Sequence, residues 1–196
     1  MTGYDTIAEL LERPNRGWGY WAWKPLIVLD ALQSLAEDEA LVYLDSGLAL
    51  KCIGNKDLEY GRTLQRIAPW TEFDVTAMPI GTQAEWKWTK AGTLEHFGVL
   101  NNTAILSSPQ FVGGYFFLRK TPAIVALLQR WLDTFGNSQL VNDAPSRLPN
   151  LRGFREHRHD QSVWSILRKL HPGTANVKSI PMKTISRQRH PKGVPK

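Results

Sequence analysis

Apolar positions along this chain fall into a few blocks whose spacing predicts helices alternating with buried strands. Leu26, Leu29, Leu32 and Leu35 recur at helical spacing behind Pro25, which a first helical turn tolerates. They predict a core-facing helix. After the acidic turn Glu37-Asp38-Glu39, the run Ala40-Leu-Val-Tyr-Leu44 has the length of a buried strand and stops at Asp45-Ser46-Gly47. Phe111-Val-Gly-Gly-Tyr-Phe-Phe-Leu118 predicts a second buried strand, its two glycines implying a bulge or a close approach by backbone or ligand. Thr121 and Pro122 then read as cap and first turn of a helix whose Ile124, Leu127, Leu128, Trp131 and Phe135 share one face, up to Gly136. Residues 142–153, with Pro145 and Pro149, read as loop. They lead to His157-Arg-His-Asp160 and a helix carrying Val163, Ile166, Leu167 and Leu170, closed by Pro172-Gly173. The pattern is that of an α/β protein, and it shows no internal repeat.

A chain of 196 residues carries one core comfortably. The division expected is a single domain over 1–177 and a basic C-terminal tail over 178–196. Apolar residues make up 42% and charged residues 21%, as in folded soluble proteins, and no run reaches the roughly 18 apolar residues of a membrane span. The first residues form neither a basic leader nor an apolar block, and Cys52 has no second cysteine to pair with, so a reducing, cytoplasmic setting is expected. The net charge of +6 and pI near 9.5 raise three anionic partners: nucleic acid, an acidic membrane surface, or a phosphorylated substrate. Much of that excess lies in the tail, at Lys178, Lys183, Arg187, Arg189, Lys192 and Lys196, among prolines. A solvated end is expected there, or a peripheral contact with anionic lipid at the inner face of the membrane.

The chemistry centres on two distant segments. Open α/β sheets bind ligands beyond the carboxyl ends of their strands, so Asp45 followed by Ser46 and Gly47 reads as a ligand-facing carboxylate or as a simple turn-former. His157-Arg-His-Asp-Gln161 offers imidazole and carboxylate for a metal ligand or a general base, and Asp160 also suits a helix N-cap. The spacing matches no structural zinc pattern. Trp18, Tyr20, Trp21, Trp23 and Lys24 supply aromatic faces for sugars or bases and a cation for phosphate, although core packing is expected to claim at least two of the three tryptophans. Trp86-Lys-Trp88 reads as a flap closing on ligand or as the edge of a sheet. Phosphate-loop, dinucleotide and esterase glycine motifs are all missing.

Six ordered blocks carry a resemblance. They are Arg16-Gly-Trp-Gly-Tyr-Trp-Ala-Trp-Lys-Pro25, Leu41-Val-Tyr-Leu-Asp-Ser-Gly47, Glu85-Trp-Lys-Trp-Thr-Lys90, Ser108-Pro-Gln-Phe-Val-Gly-Gly114, Asn142-Asp-Ala-Pro-Ser146 and Glu156-His-Arg-His-Asp-Gln-Ser162. Together they resemble glycosyltransferases of the capsular-polysaccharide-synthesis type, over residues 15–170. The resemblance implies a GT-A-like mixed sheet flanked by helices, here expected either to lack its first strand or to hold the nucleoside base differently. It also implies transfer of a sugar from a nucleoside-diphosphate donor to a glycan acceptor, with Mn or Mg. Asp45 stands at the first position of the family's acidic motif, and Gly47 replaces its second carboxylate. His159 is the second candidate metal ligand, with His157 as the alternate, and Asp160 resembles the acidic residue facing acceptor or transferred sugar. Substrate contacts are expected from Arg16, Tyr20, Trp23, Lys24, Ser46, Gly47, Trp86, Lys87, Gly113, Gly114 and Gln161. Two other readings stand beside this one. A metal-dependent phosphoesterase would use the same acids and histidines but needs a second ligand cluster; a basic nucleic-acid-binding module is disfavoured by aromatics in apolar contexts and scattered charge.

Overall fold

The structure is a computed structural model that describes residues 3–12, 16–50, 62, 65, 67–171 and 185–187. Helices α1 (Gly3–Glu12), α2 (Gly17–Tyr20) and α3 (Trp23–Gln33) come first, followed by strands β1 (Ala40–Leu44) and β2 (Leu48–Leu50). Strand β3 (Val75–Ala84) runs into the short helices α4 (Glu85–Trp88), α5 (Ala91–His96) and α6 (Thr103–Ser107). Strand β4 (Pro109–Arg119), helix α7 (Pro122–Thr134), helix α8 (Asp160–Leu170) and strand β5 (Ile185–Arg187) complete the described chain.

The main sheet has the order β1-β4-β3, with both pairings antiparallel. The α/β class is therefore as expected, whereas the expected mixed sheet is corrected: a parallel pair needs a long crossover, and each strand here returns beside its antiparallel neighbour. The β2–β5 ribbon is antiparallel too. Its second strand comes from the stretch expected as a solvated tail, most of which lies outside the described residues, as does the helix stop at Pro172-Gly173.

Strand β4 is the centre of the molecule because both of its faces are covered. Phe116 and Leu118 point to one side and join Val28, Leu29, Leu32, Leu128, Trp131 and Trp164 in the principal core. Tyr115 and Phe117 point to the other side, against Ile67 and Trp70. Alternation along one strand thus feeds two cores. The aromatic centre is tight: the Phe116 ring lies 4.4 Å from that of Trp164, and Trp131 lies 5.1 Å from Trp164. Helix α7 forms as expected, with Thr121 Oγ1 accepting from the Ile124 amide and Pro122 in the first turn.

Two expectations about the first half need correction. In α3 Leu29 and Leu32 are buried as expected, and Leu35 packs half-buried against the core just past the helix; Leu26 is exposed together with Ile27, and Pro25 and Val28 complete the buried face in its place. Strand β1 lies at the sheet edge and is half-buried rather than enclosed.

Candidate active site at the end of strand β1

Asp45 leaves β1 beside the middle of β4, its amide donating to Gly114 O at 2.8 Å. Its own carbonyl accepts from the Leu48 amide at 2.8 Å, closing the turn that the Asp-Ser-Gly sequence predicted. The carboxylate does other work. Oδ1 accepts from the Tyr43 hydroxyl at 2.7 Å and lies 3.4 Å from Lys24 Nζ. Lys24 Nζ in turn donates to Asp160 Oδ2 at 2.6 Å and to Gly113 O at 3.1 Å. The strand-end acid and the acid of the His-Arg-His-Asp run therefore meet across one buried ammonium.

Backbone packing makes this meeting possible. A Cβ on Gly114 would lie 2.8 Å from Asp45 Oδ2, and one on Gly113 would lie 3.1 Å from the Cβ of Gln161. The paired glycines let α8 and the β1 turn approach β4 from its two sides. The three charged side chains differ in access: Lys24 is 3% exposed, Asp160 7% and Asp45 41%. Asp45 is the member that faces solvent. Burial raises the Asp160 carboxyl above the usual range, against the opposing pull of Lys24, and burial likewise raises the Tyr43 phenol next to the Asp45 carboxylate.

The cleft in front of Asp45 has a volume of about 1120 Å³. Trp21, Trp23, Met78, Ile80 and Tyr115 supply apolar wall; Ser46, Gly47, Gln83, Gly114 and Gln161 supply polar edge. A smaller recess of about 200 Å³ adjoins it, sharing Trp21, Asp45, Gln83, Gly114 and Gln161 and adding Lys24, Gly113, Asp160, Arg16, Arg158 and His159. Most of the expected contacts thus share one hollow. Tyr20 does not line it; its ring packs 5.1 Å from that of His159. Trp86 and Lys87 lie elsewhere, Trp86 against Gly153 and Lys87 Nζ 4.9 Å from the Trp86 ring. The expectation that two of the three tryptophans would be core is also corrected: Trp18 is exposed, and Trp21 and Trp23 are half-buried.

Asp160 is the first residue of α8, so the cap position belongs to His159, at φ 50°. The neutral His157 ring donates Nε2–H to Leu140 O at 2.9 Å and accepts from the Lys90 amide, 3.4 Å away, on Nδ1. Its role is structural. His159 donates Nδ1–H to Val141 O at 2.7 Å, and its Nε2 lies 3.5 Å from Asp143 rather than on Asp45. Among the described residues no group of three or more His, Cys, Asp or Glu side chains is placed to hold a metal ion. The Mn or Mg implied by the resemblance does not fit the expected pair, because Lys24 holds the place between the two acids and His159 is turned away.

The sequence reading missed Tyr43, Gln83, Gln110 and the wall residues Met78 and Ile80. Tyr43 carried a usable signal, since it stands two residues before Asp45 on a strand and so on the same face. The glutamines did not. Gln161 Nε2 donates to Gln110 Oε1 at 2.9 Å and Gln83 Oε1 at 3.2 Å, and this pairing across three elements has no local pattern. Comparison with protein-family models, with curated proteins and with solved structures finds no match to the chain.

Proposed function

We propose that the cleft binds a nucleoside-diphosphate sugar and that the protein transfers the sugar to a glycan acceptor. The observation that supports this reading is the Asp45–Lys24–Asp160 arrangement, whose Asp45 lines a cleft walled by Trp21 and Trp23 and whose Lys24 and Asp160 line the recess beside it. Tryptophan faces suit sugar and base rings, while carboxylate and amide edges suit hydroxyls. Asp45, the exposed acid, accepts hydrogen bonds from hydroxyls of the donor. Asp160 and Tyr43 position it: Asp160 anchors Lys24, and Lys24 and Tyr43 both hold Asp45 Oδ1. Gln83 and Gln161 offer neutral donors and acceptors that orient the sugar without adding charge. In the transfer the bond from the anomeric carbon to the diphosphate oxygen breaks, a bond to the acceptor oxygen forms, and the proton of that hydroxyl passes to the departing diphosphate or to water. The departing diphosphate takes up negative charge, so preorganised cationic groups near it lower the barrier.

The test is release of nucleoside diphosphate from a panel of nucleoside-diphosphate sugars, followed by mass spectrometry, with and without oligosaccharide acceptors and with and without Mn. Acceptor-dependent release by the parent, reduced at least about tenfold in Asp45→Asn, is expected. No release from any donor, or equal release by the variant, contradicts the reading.

A further inference from the structure

Two guanidiniums that line the smaller recess share one counter-ion. Arg16 Nη1 donates to Glu156 Oε1 at 2.6 Å, and Arg158 Nη2 lies 3.6 Å from Glu156 Oε2. Arg16 and Arg158 both line the recess that also reaches Lys24, Asp45 and Asp160. We infer that Arg16 and Arg158 form an anion-binding subsite for a diphosphate, and that the Glu156 carboxylate fills it until a ligand displaces it. Two guanidiniums converging on two oxygens of one planar anion are arranged as they would be around two oxygens of a phosphate.

Three observations carry this. First, the Arg158 side of the seat is built. The Arg158 guanidinium lies 4.5 Å from the centre of the Trp88 ring, and its amide donates to Trp88 O and Ser162 Oγ, each at 3.1 Å. Second, the pairs are solvent-accessible, with side chains 44% (Arg16), 36% (Glu156) and 31% (Arg158) exposed. Exposed ion pairs contribute little, so a ligand carrying more charge than a carboxylate displaces Glu156 at small cost. Third, backbone strain gathers at this place. Trp18, Tyr20, Trp21 and His159 all have positive φ, and the rings of Tyr20 and Trp21 lie 5.1 and 5.6 Å from His159. Such conformations cost a non-glycine residue free energy, and four of them sit in the segments that deliver Arg16 and Arg158.

The location deepens the proposed donor site, yet the test separates the two. Calorimetric titration with inorganic pyrophosphate is carried out on the parent, Glu156→Gln, Arg158→Met and the Glu156→Gln/Arg158→Met pair; methionine keeps an apolar stem over Trp88. Removing the competing carboxylate in Glu156→Gln is expected to tighten binding about threefold to fivefold. Arg158→Met is expected to weaken it by about tenfold or more, in either background, through loss of a charge-assisted contact. Pyrophosphate that binds Glu156→Gln no more tightly than the parent, or that binds the double variant as well as Glu156→Gln, overturns the inference, as does absence of binding to both. If the pyrophosphate results hold and no sugar transfer is detected, the subsite stands and the glycosyl-transfer reading falls.

Discussion

Asp45 and Asp160 look interchangeable as letters and are opposites as physical groups. Asp45 is accessible, so Asp45→Asn is expected to lower transfer at least about tenfold while the urea midpoint stays near the parent's. Asp160 is buried, and its loss strands the Lys24 ammonium. Breaking a buried pair from one side costs about 3–5 kcal/mol, so Asp160→Ala is expected to destabilise by that amount in urea denaturation; a midpoint unchanged from the parent's would contradict the buried pair. Gly114→Ala separates position from chemistry, because its Cβ would clash with Asp45 Oδ2 at 2.8 Å while Leu48 Cδ1, at 3.9 Å, lies in ordinary contact. Activity is expected to fall with little loss of stability; full activity would show that Asp45 need not sit where it does. His157 and His159 have pKa values lowered, first by burial, so the unfolded chain takes protons before the folded one does. Stability present above about pH 6.5 is therefore lost as pH falls below it, by up to about 1.4 kcal/mol per pH unit for each histidine. Glu156, lowered by its bond to Arg16, acts in a separate window below the ordinary carboxylate value. Stability measured from pH 7.5 to 5 is expected to show the histidine slope, reduced in His157→Gln.

Between the elements, the joint of β3, α4, β4 and α8 is polar and buried. Glu85, fully enclosed, accepts from Thr89 Oγ1 at 2.7 Å and Gln110 Nε2 at 3.0 Å on one oxygen. Its other oxygen takes Ser165 Oγ at 2.7 Å and the Lys169 ammonium. Gln110 continues the chain to Gln161, whose Oε1 accepts from the Gly113 amide at 3.3 Å beside the Lys24 seat. This network fixes the register of α8 against β4, so it sets where Asp160 stands. Glu85→Ala is expected to destabilise by about 3 kcal/mol or more, which lowers Tm by roughly 6–12 °C for a domain of this size. Glu85→Gln/Lys169→Met, which removes both charges, is expected to recover part of that loss in calorimetry. A neutral Glu85→Ala would mean that the helix is held by its apolar face alone. The burial of Glu85 had no local signal, because an acid between Ala84 and Trp86 reads as exposed until its partners on distant elements are known.

At the scale of the whole molecule, α7, β4 and α8 were legible because each carries its own periodicity and, for α7, its own cap. The meeting of Asp45 with the Asp160 run was expected too, from a strand-end acid, a run of imidazole and carboxylate, and the resemblance that assigns both to one site. What escaped was non-local: the strand directions, the edge position of β1, Lys24 between the acids, and the orientation of His159. Each is decided by neighbours far away in the chain rather than by local spacing. Among the described residues no helix is long and apolar enough to cross a membrane. The central claim is that one cleft, built from both acids, holds an activated sugar. It is tested most directly by the thermal midpoints of the parent and of Asp45→Asn against a panel of nucleoside diphosphates, each with and without Mn. The account expects at least one of them to raise the parent's midpoint, with a smaller rise in the variant at equal unliganded stability; no rise for any ligand, or an equal rise in the variant, would contradict it.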